Sequence, residues 1–461
     1  LGEKLKKGMR EYVLEIFDLN LNQVNKTKIV VNKGDFLVGA EFNGQNFLFG
    51  FVDYNKKTNT YFVLDAKGNE TKKETIPVKK LASVGSAAMY PARDGSGFYV
   101  TSLVKEKKWG YRVRKMDSNA QILWDKTYTR PKGLAMIVGA ESSNGRLTLI
   151  VNERPSLMAY RKAMRSLVSL DDNTGDEIFK TPLFDGMLTA IPSSMIVEPD
   201  GTTVTCGMYY NGEKVNEKNS DVIFFMKLAP DGSQIAKNAI DWDNGIQDAM
   251  KATSREFSIG SKPKVLFHEI IPEPGGGYQV ISETFRKTVK AGTVLGAMNN
   301  SNEPAPMGFT VIDYLIYNYD DMGNPIDINK IEKPYKSVMV DGGVAQQGGI
   351  ALAQYLKRMK VFTYEFSTQL EGTEQRVIVF TNFEDAGRGK GKPYIGITTI
   401  EKGVESTTRK VPVSKKHTAK ATGSKNLKSG CLKARPGKMC TYLYDRKDKV
   451  ISISLEDLSV N

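Results

Sequence analysis

One strand–turn–strand pattern returns along this chain, and it constrains the fold more than any other feature. In YRVRKMDSNAQILWDKTY (111–128) apolar and polar residues alternate, turn at a polar cluster, and alternate again around Trp124. Equivalent stretches run over 12–31, 61–78, 166–183, 223–240 and 314–331; 394–413 is weaker, and 450–460 stops before its second strand. Asp or Asn side chains bond the backbone two residues on, and Gly supplies a positive φ, so each polar cluster reads as a hairpin turn. The turns fall near Asp18, Asp65, Asp117, Asp172, Asp231, Asp321, Glu401 and Asp457, mostly 47 to 59 residues apart.

Two further strand-like runs precede each hairpin, for example 83–108 and 264–287. The unit is therefore four antiparallel strands, a to d, with the recurring hairpin as c and d. Such units cannot bury both faces alone and must stack, which predicts an all-β chain forming one β-propeller over 1–461. Two packed β-sandwiches are the alternative architecture. The last unit lacks its d strand and the first begins near c. If both termini close one shared blade there are seven blades, which we prefer; separate terminal blades would make eight. Trp124 is expected to pack between blades.

The 461 residues contain no run of about 18 apolar residues, so no membrane-spanning helix is expected. The chain opens at Leu1 rather than Met, which we read as a processed boundary from which any targeting segment has been removed. The net charge of +13 is concentrated between Lys402 and Lys438, where eleven Lys or Arg face one acid, Glu405. Such a run is either a solvated loop or a polyanion surface, with Lys415, Lys416, Lys420 and Lys425 as its contacts. No aromatic residue is interleaved there, which argues against nucleic-acid stacking. Cys431 and Cys440 bracket a Pro-Gly turn and would be able to bridge across a hairpin outside the cytoplasm; two reduced thiols are the alternative.

Enzyme signals are sparse. Of the two histidines, His268 sits in an alternating strand as a core or channel residue, and His417 lies in the basic run. Nucleophile-elbow, phosphate-loop and paired Cys motifs are absent. DWDNG (241–245) has its Gly one position early for a calcium loop, and Ala252 stands where the loop needs Glu. No cofactor or metal is expected; a looser carbonyl-and-carboxylate calcium site on the insertion face is the alternative. Four carboxylates near the ends of b strands, Asp53, Glu153, Glu283 and Glu384, would be the catalytic candidates of a glycan hydrolase or lyase. Strand capping or pairing with Arg154 and Arg286 is their structural alternative.

In a propeller the b–c and d–a connections emerge on one face, and the a–b and c–d turns on the other. The insertions at 154–165, 210–221, 243–263, 286–309, 336–359, 384–393 and 415–427 all map to the b–c/d–a face. Elaborated loops on a rigid scaffold are where binding residues concentrate. Short helices are expected in 244–257 and 348–360, and a mobile flap in 292–309. The face offers Arg154, Tyr160, Tyr209, Tyr210, Arg286, Arg388 and Lys390 to a protein, peptide or glycan ligand. The resulting expectation is a monomeric, non-enzymatic binding or scaffold propeller.

The GGYQVISE strand, the hairpin at Lys115–Trp124 and the overall size resemble uncharacterised, exported β-propeller-like proteins of Bacteroidetes bacteria. The resemblance implies export to the periplasm or cell surface and implies no activity.

Overall fold

The computed structural model describes residues 2–4, 8–77, 87–105, 109–130, 132–143, 145–156, 159, 162–212, 222–241, 263–288, 307–334, 336–340, 349–359, 361–370, 372–373, 375–384, 392–401, 404–412, 427–445 and 447–459. The chain is a seven-bladed β-propeller of four-stranded antiparallel blades. Six blades are continuous sheets in the order a–b–c–d: blade 1 (35–77), blade 2 (88–129), blade 3 (134–182), blade 4 (188–241), blade 5 (264–340) and blade 6 (364–412). The remaining strands lie at the chain ends, in two three-stranded sheets spanning 2–32 and 427–457. No ladder joins these two sheets among the described residues.

Each sheet packs face to face on the next, and the core is a series of inter-blade clusters. Leu149, Val151, Val168 and Leu170 of blade 3 meet Tyr99, Val113 and Trp124 of blade 2. From the other face of blade 3, Ile150, Leu167 and Phe179 meet Tyr209, Phe224 and Met226 of blade 4. Strand alternation produces this arrangement: successive side chains point to opposite faces, so a strand between two blades is apolar on both. The c strands accordingly read VLD at 63–65, SLVSLD at 166–171 and VIFFMKL at 222–228. The a strands of neighbouring blades contact one another and form the inner ring. The d strands alternate between exposed and covered residues, as outer strands do.

The c–d turns hold blades together, which accounts for their recurrence in the sequence. Trp124, in the d strand of blade 2, packs between blades 2 and 3, and its Nε1–H donates to the Asp172 carbonyl in the turn of blade 3 at 2.7 Å. Thr181 of blade 3 donates to the Gly232 carbonyl of blade 4 at 3.0 Å, and Asn238 of blade 4 to the Met322 carbonyl of blade 5 at 3.1 Å. Asn25 of the first sheet reaches the Lys67 carbonyl of blade 1 in the same way, at 2.6 Å.

A second repeat was not read from the sequence. The a–b ladder slips by one residue at Val38, Val138, Ser193, His268 and Glu365, a β-bulge in every continuous blade but blade 2. A bulge bends its strand and re-aims the extra side chain. Here it acts on the strands that line the channel, and VGAE recurs at both 38–41 and 138–141.

Blade 5 departs from the expectations. Residues 307–309 are not part of a flap: they begin the c strand Met307–Tyr319, and Lys336–Val340 pairs with that strand as a fifth member of the sheet. The physical reason is apolar. Phe309, Val311 and Val340 pack with Phe285 and with Leu352, Ala353 and Leu356 of the helix Gly349–Arg358. That helix lies where 348–360 was expected to form one; 244–257 lies outside the described residues. The last sheet, Leu427–Lys433, Lys438–Asp445 and Val450–Asp457, sets Cys431 opposite Thr441 and Leu432 opposite Cys440. The two cysteines therefore point to opposite faces and no disulfide joins them, which corrects the disulfide expectation.

Candidate functional site

The strand bounds show where the propeller is elaborated. On the a–b/c–d end no connection between consecutive strands exceeds six residues. On the b–c/d–a end they reach nine residues after Arg154, ten after Asn211, eighteen after Thr288 and twenty-two after Asp241. A candidate binding face is thus defined by the ends of rigid strands, whatever the intervening loops do.

The sequence-derived carboxylates at this end are dispersed over separate blades, and the three whose side chains are described are occupied. Asp53 accepts hydrogen bonds from the backbone N–H of Asn55 and Lys56, at 2.9 and 3.0 Å, closing the turn after its strand. These hydrogen bonds hold its carboxyl below the usual carboxylate range, against a smaller opposing effect of burial. Glu153 pairs with Lys180 at 2.8 Å, and Arg130 lies 3.8 Å away. Glu283 is fully buried. The side chain of Glu384, and Tyr160, Arg388, Lys390, Lys415, Lys416, Lys420 and Lys425, lie outside the described residues. Tyr209 and Tyr210 are not surface platforms: both are buried, Tyr209 between blades 3 and 4 and Tyr210 against Ile191 and Met208. Strand alternation at the end of Thr203–Asn211 turns each ring inward. Arg154 and Arg286 are half-buried at the ends of their b strands.

Glu283 anchors a polar node between blades 5 and 6. The Lys333 Nζ lies 2.9 Å from its Oε1, the Thr363 hydroxyl donates to Oε1 at 2.6 Å, and the backbone N–H groups of Thr363 and Tyr364 donate to Oε2 at 3.0 and 3.1 Å. Burial alone would raise the Glu283 carboxyl, but Lys333, His268 and Thr363 together hold it well below the usual carboxylate range. His268 Nε2 sits 2.9 Å from Oε2 but off the line of a hydrogen bond, and its ring stacks on Tyr364 at 4.8 Å. Burial pushes the imidazole down to about 4 despite Glu283, so His268 is neutral near pH 7. The node ties the start of the blade 6 inner strand to blade 5. Sequence reasoning had no signal for it, because Glu283 and Thr363 are 80 residues apart.

His268 also lines a cavity of about 470 Å³ between blades 4 and 5, together with Ser194, Met195, Glu198, Glu269 and Ile271. Arg93, in the a–b turn of blade 2, lies at its edge and pairs with Glu141. Its lining runs along the inner strands of both blades, from Ser194 to Pro199 and from His268 to Pro272. The Tyr364 hydroxyl and the Ser367 hydroxyl, the latter at 2.8 Å, already donate to Glu269 there. Among the described residues no group of three or more His, Cys, Asp or Glu is placed to hold a metal ion.

Residues 1–459 match the model of a family of unknown function (DUF6770). The chain belongs to this family. No curated protein matches the DUF6770 chain. Among solved structures it is similar to a europium-containing methanol dehydrogenase, at 11% identity over 92% of this chain and 80% of that one, with a TM-score of 0.43. The β-propeller domain of the Trilobed protease from Pyrococcus furiosus is 10% identical over 93% and 96% of the two chains, with a TM-score of 0.41. A polysaccharide lyase of family PL25, an ulvan lyase, is 10% identical over 91% of each, also at 0.41.

Proposed function

We propose that this DUF6770 propeller is a non-enzymatic binding or scaffold protein that engages a protein, peptide or glycan through its b–c/d–a face. The observation that carries this reading is the concentration of every connection longer than six residues at one end of the ring. A rigid scaffold with its elaboration confined to one face is built for recognition. The glycan-hydrolase reading needs two carboxyls facing one bond. Asp53, Glu153 and Glu283 instead belong to blades 1, 3 and 5, and each has a structural partner. The resemblance to exported Bacteroidetes proteins adds the periplasm or cell surface as the expected location, and fractionation of the source cells tests it.

The test of function is a glycan and peptide array probed with the wild-type chain and with a variant shortened in 292–306. Loss of signal in the variant, with an unchanged melting temperature, is the expected result. Equal binding by both removes that connection from the face.

A further inference from the structure

The b–c end of blade 3 carries two arginines with no acid between them. Asn152, in the b strand Arg146–Arg154, stands directly opposite Arg165, in the c strand Met164–Asp171. Arg154 lies two residues beyond Asn152 and so shares its face of the sheet. Arg154 and Arg165 are therefore diagonal cross-strand neighbours, within reach of long side chains. Ile150 and Leu167, on the same two strands and in the same alternation, pack against blade 4, which places all three polar residues at the junction of blades 3 and 4.

This arrangement is unusual because like charges close together on one face of a sheet repel. Arg165 is only 9% exposed, and its Nη1 is buried with no hydrogen-bond partner; Asn152 Oδ1 and Arg154 Nε are buried and unpartnered too. Among the described residues neither arginine has a carboxylate within ion-pair distance. Glu153, the adjacent acid, points to the opposite face and is held by Lys180. Burial pulls Arg165 down to about 10, and Arg154 adds to this while Tyr210 opposes it. An uncompensated buried charge is costly, and a buried donor left unpaired forfeits a further hydrogen bond. Structural arginines are normally placed with their counter-charge, as Arg114 is with Asp125 at 2.7 Å in blade 2.

We propose that Asn152, Arg154 and Arg165 form an oxyanion site at the junction of blades 3 and 4, which takes one dianionic group, phosphate or sulfate. Two planar guanidinium forks suit such an oxyanion, one dianion neutralises both cations, and the Asn152 carboxamide can present its NH2 to a remaining oxygen. Arg154, half-buried at the rim, is the point of entry. The proposal rests on the binding reading above and assigns a chemistry to one part of that face.

The test is thermal unfolding of the full chain in sodium phosphate, sodium sulfate and sodium chloride at matched ionic strength, for wild type, Arg165→Met and Arg154→Met. Wild type should show a saturable rise in melting temperature with phosphate or sulfate and none with chloride. Arg165→Met should lose that rise and, in chloride, melt at or above wild type, because it removes a charge with no counter-charge among the described residues. A purely structural Arg165 gives the opposite result, a lower melting temperature in chloride with any anion response intact. Absence of a saturable response in wild type also overturns the site. Should Arg165→Met fail to fold, Arg154→Met carries the same comparison. An arm with glucose 6-phosphate separates the sources: a response to it assigns the site to a ligand-borne group, and a response to the free ions alone assigns it to the ion itself. Failure here leaves the array experiment unaffected, since that readout requires no anion.

Discussion

The Trp124 indole of blade 2 lies over Gly175 in the c–d turn of blade 3, so closely that a Cβ on Gly175 would sit 2.8 Å from the ring. Gly175 also has φ = 71°, in the left-handed region that side chains resist. The recurring Asp/Gly turn is thus shaped by the neighbouring blade as well as by its own hairpin. Gly175→Ala should cost roughly 2 kcal/mol, combining backbone strain with displacement of the indole. Urea unfolding followed by tryptophan fluorescence measures it, and Gly145→Ala, at the same φ sign but with open space around it, should cost less.

Glu283→Gln leaves Lys333 buried beside a neutral amide. Breaking a buried pair from one side costs about 3–5 kcal/mol. Replacing both partners, as Glu283→Gln with Lys333→Met, should recover much of that loss. A double-mutant cycle on chemical unfolding checks this; additive losses would show that the two side chains do not act as a unit.

His268 links stability to pH. Its folded-state value of about 4 lies below the unfolded value of 6.5, so the unfolded chain takes up the proton first. The stability it contributes is complete above about pH 6.5 and is lost as pH falls toward 4, by on the order of 3 kcal/mol. The depressed Glu283 carboxyl acts in the same direction at lower pH, below its ordinary value of 4.5. In His268→Gln the slope of unfolding free energy between pH 6.5 and 4 should flatten relative to wild type.

The cysteines give a direct check on register. Cys206 and Cys431 are buried, and burial raises the Cys206 thiol well above its ordinary value, whereas Cys440 is partly exposed. A maleimide should label Cys440 alone in the native chain and all three after unfolding. Labelling of none before reduction, with one disulfide released by reductant, would contradict the Cys431–Thr441 pairing.

How much of this was legible in the sequence follows from the range of each interaction. The hairpins at Asp18, Asp65, Asp117 and Asp172 were readable because turn chemistry and strand alternation act within five residues. The place of Trp124 was readable because a lone Trp on an alternating outer strand needs a neighbour to cover it. The role of Glu283 was not, since its partners His268, Lys333 and Thr363 converge from a mid-strand bulge and from connections beyond the ends of two other strands. Arg165 was passed over for a similar reason: it matters because Arg154 and Asn152 share its face and no acid among the described residues pairs with it, and a missing counter-charge in space leaves no mark in sequence. Tyr209 and Tyr210 were misread because both faces of an inter-blade strand are interior.

The face assignment is tested most directly by tethering the protein from either end of the ring. With Cys440→Ser as background, a single biotinylated cysteine replaces Asp231, in the c–d turn of blade 4, or Gly212, at the start of the ten-residue b–c connection of the same blade. Each form is fixed to streptavidin and the same glycan and peptide set is passed over it. The account predicts binding by the protein held through position 231 and loss of binding when it is held through position 212. Binding that survives tethering at 212 and disappears at 231 would place recognition at the a–b/c–d end instead, and would contradict it.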